Sequence, residues 1–188
     1  MKRKVFVVTG NTGTGKTSVT KYLNDFYEMP KVITHTTRPP REGEQDQVDY
    51  YFESPESFKQ NHYLETVQYN GYHYGSSTEG LERAWQKNPL ITIVLDTAGA
   101  QTYARELPAD EVVVIYLTVS EPADLIHRLA NRGDDMAKIE SRLKSKEYQR
   151  DLTLPAALAK GSHVVVNDDW ADTKRQIDQI IKEEISES

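Results

Sequence analysis

The stretch GNTGTGKT, residues 10–17, brings three glycines, a lysine and several hydroxyls together. Gly10, Gly15, Lys16 and Thr17 fit the spacing G-x-x-x-x-G-K-[ST]. In that pattern a glycine-rich turn between a strand and a helix cradles the phosphates of a nucleotide. The glycines let the backbone bend so that several N–H groups face one anion, and the helix N-terminus adds to that field. Lys16 can reach the terminal phosphates, and the Thr17 hydroxyl can ligate Mg2+. The candidate phosphate-binding residues are Gly10, Asn11, Thr12, Gly13, Thr14, Gly15, Lys16, Thr17 and Ser18. This loop alone does not choose among kinases, GTPases and ATPases.

A second constellation is THTTRPPREGE, residues 34–44. Arg38 and Arg41 flank two prolines that stiffen the loop. Two guanidinium forks at fixed spacing suit one doubly charged phosphate, and Tyr50, Tyr72 and Tyr74 supply phenolic donors nearby. The same arginines on a solvated loop would face water, and the tyrosines argue against that. A third stretch, LDTAGAQ at 95–101, resembles the Asp-x-x-Gly segment by which GTPases sense a terminal phosphate. The Asn-Lys-x-Asp guanine reader of GTPases is absent, and VVVNDD at 164–169 lacks its lysine.

Strands alternating with helices must position these residues. KVFVV (4–8), LITIVLD (90–96), EVVVIYLTV (111–119) and SHVVVND (162–168) read as strands. The middle two are near-continuous apolar runs, as expected of central parallel strands covered on both faces. KVIT (31–34) reads as a further short strand. Helices are expected at 16–26, from Ser54 with Pro55 in the first turn, at 79–86, from an N-cap at Ser120 to Ala130, at 136–150 and at 171–183. Tyrosine-rich short segments between 49 and 75 suggest a small mixed or antiparallel lobe. The pattern predicts an α/β fold, a parallel sheet flanked by helices with two insertions.

The chain has 188 residues, enough for one domain with a sizeable core. Its net charge of −6 argues against a general nucleic-acid binder. Without cysteine, thiolate catalysis, disulfides and Cys-based zinc sites are excluded. No stretch approaches the ~20 apolar residues of a membrane span. The expected setting is cytoplasmic, with small-molecule partners, no nucleic acid, no membrane, and a monomer or homodimer as the assembly.

With these motifs in hand, the chain resembles guanylate kinase over nearly all its length. The phosphate loop, TTRPPREGE, DYYF, YLETVQYNGYHYG, RLANRG and VVVNDD occur in that family's order and at about its spacing. The resemblance implies a single domain: a core at 1–33, 90–127 and 160–188, a GMP-binding lobe at about 34–89, and a lid at about 128–159. It implies transfer from ATP to GMP, and to dGMP, with Mg2+. It assigns Thr34, Arg38, Arg41, Tyr50, Glu65, Tyr74, Gly75, Ser76 and Asp96 to GMP, with Glu65 as guanine reader. It assigns Arg128, Arg132, Asn167 and Asp168 to ATP beside the phosphate loop. Lys16, Arg38, Arg132 and Arg142 are its catalytic set.

Guanylate-kinase-like domains also serve as protein-binding scaffolds, but those typically lose the phosphate loop that Lys16 and Thr17 preserve here. The chain departs from the family at Val94, where the first aspartate of an Asp-x-Asp pair is usual. Gln47 replaces a common glycine, and Thr66 a tryptophan. The lid between Arg132 and Arg142 is slightly short. These departures bear on acceptor preference, and a divergent protein with another acceptor stays open on them.

Overall fold

A computed structural model describes residues 2–69, 71–131 and 136–186. β1 (Lys4–Gly10) is the centre of a four-stranded parallel sheet. It pairs with β6 (Leu90–Val94) on one side and β7 (Val112–Thr118) on the other, and β8 (Ser162–Val166) extends the sheet beyond β7. All seven residues of β1 are buried. The pleat sends alternate side chains to opposite faces. Phe6 and Val8 pack against α1 (Lys16–Tyr27) and α8 (Trp170–Ser186) through Val19, Leu23 and Ile177. Val5 and Val7 pack on the opposite side with α3 (Thr78–Trp85) and α4 (Thr97–Glu106) through Leu81, Ala100 and Tyr103. With helices on both faces, strand residues of either orientation must be apolar, which produces the continuous runs.

A second sheet holds β3 (Tyr51–Phe52), β2 (His35–Thr36), β5 (Tyr72–Ser77) and β4 (Tyr63–Tyr69) in that spatial order. β2 and β3 run parallel, whereas β5 is antiparallel to both β2 and β4, so the sheet is mixed. α2 (Pro55–Phe58) links β3 to β4 and opens at Ser54 with a reciprocal capping box to Ser57. The β4–β5 register shifts between Tyr63 and Glu65. This irregularity re-aims the strand: Leu64 packs against the core and Glu65 falls opposite Ser76.

Three expected elements differ. Residues 31–34 form no strand; only Lys31 bridges Thr92, and β2 begins at His35. Ser120 does not cap the next helix. Its backbone N–H donates to Asp168, and α5 (Ala123–Asn131) begins after Pro122, since proline fits a helix start but has no N–H to give inside one. The expected helix at 136–150 is two helices, α6 (Met136–Leu143) and α7 (Lys146–Asp151). Ser145 breaks the run by accepting the Tyr148 N–H and capping α7.

Candidate active site

The phosphate loop hangs between the end of β1 and the start of α1. Gly10 has φ +124, and a Cβ there would lie 2.1 Å from the Leu117 carbonyl oxygen on the neighbouring strand. Gly15 has φ +99, and its Cβ would meet Asn167 Nδ2 at 2.2 Å. Both glycines are therefore required by backbone shape and by close approach. Asn167, at the end of β8, is buried. It donates to the Thr14 carbonyl at 2.8 Å and accepts from the Thr173 hydroxyl. Arg128 Nη2 donates to the Asn167 carbonyl at 2.7 Å, and Asp168 accepts the Ser120 N–H. Asn167 thus fastens the loop to the far strand and Arg128 holds Asn167, while Asp168 ties that strand end to Ser120. Asn11 ties it to α7 by donating to the Tyr148 carbonyl at 3.0 Å.

Lys16 Nζ folds back over this loop and donates to the Gly10 and Asn11 carbonyls, each at 2.7 Å. Burial lowers its pKa to about 8, partly offset by the carboxylates of Asp151 and Asp96. Thr17 and Ser18 are exposed at the helix start. Arg142 reaches across from α6 to the Thr12 hydroxyl at 3.4 Å. Arg132 lies outside the described residues.

In the second sheet Arg38, Tyr50 and Tyr74 come together. The Arg38 guanidinium lies 5.6 Å from the Tyr50 ring centre, and Tyr50 and Tyr74 meet edge to face at 6.3 Å. Arg38 Nη2 donates to Glu44 Oε1 at 2.9 Å, and the other Glu44 oxygen accepts the Arg41 backbone N–H at 2.7 Å. The Arg41 side chain is exposed. Glu44 therefore organises the arginine loop, with Arg38 beside it holding its pKa down. Thr34 is half-buried, and its carbonyl accepts the Tyr51 N–H. Gly75 is buried where a Cβ would run into the Tyr63 ring at 2.6 Å, so its place is dictated by packing.

Glu65 sits on the same face as Ser76, whose hydroxyl donates to it at 3.4 Å. Burial raises the Glu65 pKa to about 7, and the negative charge of Asp96 adds to the effect. Asp96 is thus felt electrostatically by both Lys16 and Glu65, which links the phosphate loop to the second sheet. Asp96 also caps α4 by accepting the Gly99 N–H at 2.7 Å. The DTAG stretch is a helix start, which accounts for its resemblance to a GTPase segment.

Three residues of this region were invisible to sequence reasoning. Arg150, at the end of α7, donates to Asp96 Oδ2 at 2.8 Å and to Asp151 Oδ1 at 2.7 Å. These hydrogen bonds and carboxylates raise its pKa, so it stays charged. Asp151 is buried and also accepts from Thr97. Tyr103 of α4 is fully buried in the apolar cluster that Leu64 packs on. No motif marks any of them; a charged helix end and a helix aromatic carry no periodic signal.

The arrangement holds a backbone cradle with one lysine, an arginine–tyrosine cluster, and a carboxylate–hydroxyl pair, linked through Asp96. A family model described as guanylate kinase matches residues 2–184. A curated guanylate kinase of Thermus thermophilus is 34% identical over 89% of this chain and 76% of its own. That of Methylobacillus flagellatus is 33% identical over 97% of this chain and 90% of its own. The crystal structure of a guanylate kinase from Anaplasma phagocytophilum covers 97% of this chain and 86% of that one, with a TM-score of 0.66 at 24% identity, a likeness of fold.

Proposed function

The chain belongs to the guanylate kinase family and is a nucleoside monophosphate kinase, an ATP:GMP phosphotransferase; we infer that the residues above divide that reaction between a donor and an acceptor half. An oxygen of the GMP phosphate attacks the terminal phosphorus of ATP. The bond from that phosphorus to its bridging oxygen breaks, and ADP leaves as GDP forms. A phosphate dianion needs no proton removed before attack, so positioning and charge neutralisation are what the protein supplies.

The donor half is the loop at residues 10–18. Its backbone N–H groups face the phosphates, and Lys16 exchanges the Gly10 and Asn11 carbonyls for phosphate oxygens. Asn167, held by Arg128, keeps the loop in shape from the far strand, and Asn167, Asp168 and Arg128 border ATP on that side. The protein oxygens fit a hard cation that arrives with the nucleotide: Thr17 offers an exposed hydroxyl. No group of three or more His, Asp or Glu residues placed to hold a metal occurs among the described residues. Mg2+ is commonly bound this way, by few protein ligands plus substrate phosphates. Bound there by Thr17, it would neutralise developing charge on the phosphate oxygens.

In the acceptor half, Arg38 and Arg41 take the GMP phosphate with Tyr50 and Tyr74, in competition with Glu44 for Arg38. Glu65 reads guanine, because its carboxylate can accept from both N1–H and the exocyclic amine, donors that adenine does not offer together. Thr34, Gly75 and Ser76 complete that pocket. None of these assignments involves the ribose 2′-hydroxyl, which makes dGMP a second acceptor. Arg132 and Arg142 close from the lid over the transferring group and exclude water.

The observation that supports this reading is the place of Asp96, which follows the strand paired with β1 and caps α4, with its charge acting on both Lys16 and Glu65. That shared neighbour supports one cleft for the phosphate-loop lysine and the carboxylate proposed to read guanine. The test is ADP release from Mg-ATP with GMP, dGMP, AMP, CMP and UMP supplied separately. Turnover confined to the guanine acceptors supports the reading. Phosphate release from GTP without acceptor, or GMP binding without turnover, would replace it with a GTPase or a scaffold.

A further inference from the structure

Tyr103 is fully buried on α4, yet its hydroxyl has no hydrogen-bond partner among the described residues. A buried phenol normally finds one, and leaving a polar group unsatisfied is costly. Its ring belongs to the apolar cluster with Val7, Ile93 and Ala100. α4 packs against β4, and Leu64, next to Glu65, packs on the same cluster as Tyr103; burial above all pushes the Tyr103 hydroxyl's pKa up, and Ser76 and Glu65 also act on it. Ser76 is itself fully buried, and its bond to Glu65 is long at 3.4 Å. Tyr103 on α4, Ser76 on β5 and Glu65 on β4 therefore border the proposed base site, with one donor unused and one bond loose.

We propose that Tyr103 is a positioning residue for the acceptor base. With a purine in place, the Tyr103 O–H donates to Ser76 Oγ. Ser76 accepts that bond and still donates its own proton, which passes from Glu65 to the 6-oxo oxygen of the base, and the Tyr103 donation holds the hydroxyl in that orientation. Glu65 then keeps both oxygens for N1–H and the amino group. The ligand-free protein holds the phenol unsatisfied, and binding of a 6-oxopurine satisfies it. A 6-aminopurine presents a donor where Ser76 now also presents one, so it is disfavoured. This inference rests on Glu65 being the base reader.

The test is Tyr103→Phe, which removes one oxygen and keeps the ring. Because that oxygen is unpartnered, thermal stability of the free protein should be unchanged or higher. KM for GMP should rise about fivefold, the worth of one neutral hydrogen bond. KM for IMP, which shares the 6-oxo group, should rise in step. KM for ATP, and KM for AMP as acceptor, should stay put. Unchanged KM for GMP would overturn the proposal. So would an equal rise for GMP and AMP with a lowered melting temperature, the mark of a packing defect. Glu65→Gln, measured in parallel, separates the two levels. If it narrows the preference for GMP over IMP while Tyr103→Phe changes nothing, only the Tyr103 inference fails. If neither variant alters base preference, the reading of the base site fails with it.

Discussion

Arg150 Nη2 and Asp96 Oδ2 lie 2.8 Å apart, joining the end of α7 to the residue that caps α4. The same guanidinium holds Asp151, which is buried. Both partners of the Asp96 contact are about one-third exposed, so water moderates its strength. Arg150→Ala should cost only about 1 kcal/mol of stability. It should lower kcat more than that suggests, roughly tenfold, because Asp96 then loses the group that fixes its second oxygen. Steady-state kinetics and a melting curve check this; a stability loss with unchanged kcat would confine Arg150 to a structural role.

Lys16→Ala should leave the fold intact, since the lysine bonds only two carbonyls of its own loop. It should reduce kcat by at least about a hundredfold, the scale on which a preorganised charge acts on a developing anion. Rapid-quench measurement of GDP formation is the check, and unchanged kcat would remove Lys16 from the chemistry.

Glu65 and Lys16 set opposite limbs of the pH dependence. Guanine recognition needs Glu65 as a carboxylate, so kcat/KM for GMP at saturating ATP should rise with pH through about 7. ATP binding needs Lys16 charged, so kcat/KM for ATP at saturating GMP should fall as pH rises through about 8. The stability effect of Glu65 has the opposite sign to its binding effect. Its folded pKa lies above the ordinary carboxylate value, so the native state holds the extra proton between the two. Stability of the free protein falls as pH climbs to about 7. Glu65→Gln should abolish the acid limb for GMP and the matching stability change, leaving the ATP limb in place.

Gln47 has φ +64, a left-handed conformation that costs a side-chain residue roughly 1–2 kcal/mol. Part of that gain is lost to glycine's freedom in the unfolded chain. Gln47→Gly should therefore stabilise by about 0.5 kcal/mol, read as a small rise in melting temperature with acceptor kinetics unchanged. A fall would mean that the Gln47 side chain holds the arginine loop.

What sequence reasoning reached follows from where local chemistry constrains residue type. The phosphate loop was legible because Gly10 and Gly15 have no substitutes at their φ values and contacts. The sheet was legible because β1 is buried on both faces. Glu65 could be found only by its spacing from residues 74–76, which the β4–β5 pairing turns into proximity. The Arg150–Asp96 and Tyr103–Ser76 relationships join residues far apart in the chain, and their types alone suggest surface charge and core. The break between α6 and α7 did have a local signal, Ser145, but it was masked by a continuous charged pattern.

The most direct measurement is a crystal structure with a non-hydrolysable ATP analogue, Mg2+ and GMP bound together. The account predicts the ATP analogue's phosphates over residues 10–17 with Lys16 turned away from its own carbonyls. It predicts the GMP phosphate between Arg38 and Arg41, with the Arg38–Glu44 bond broken or shared, and guanine against Glu65 and Ser76. A GMP molecule bound elsewhere, with Arg38 still on Glu44 and Glu65 facing no base, would contradict it.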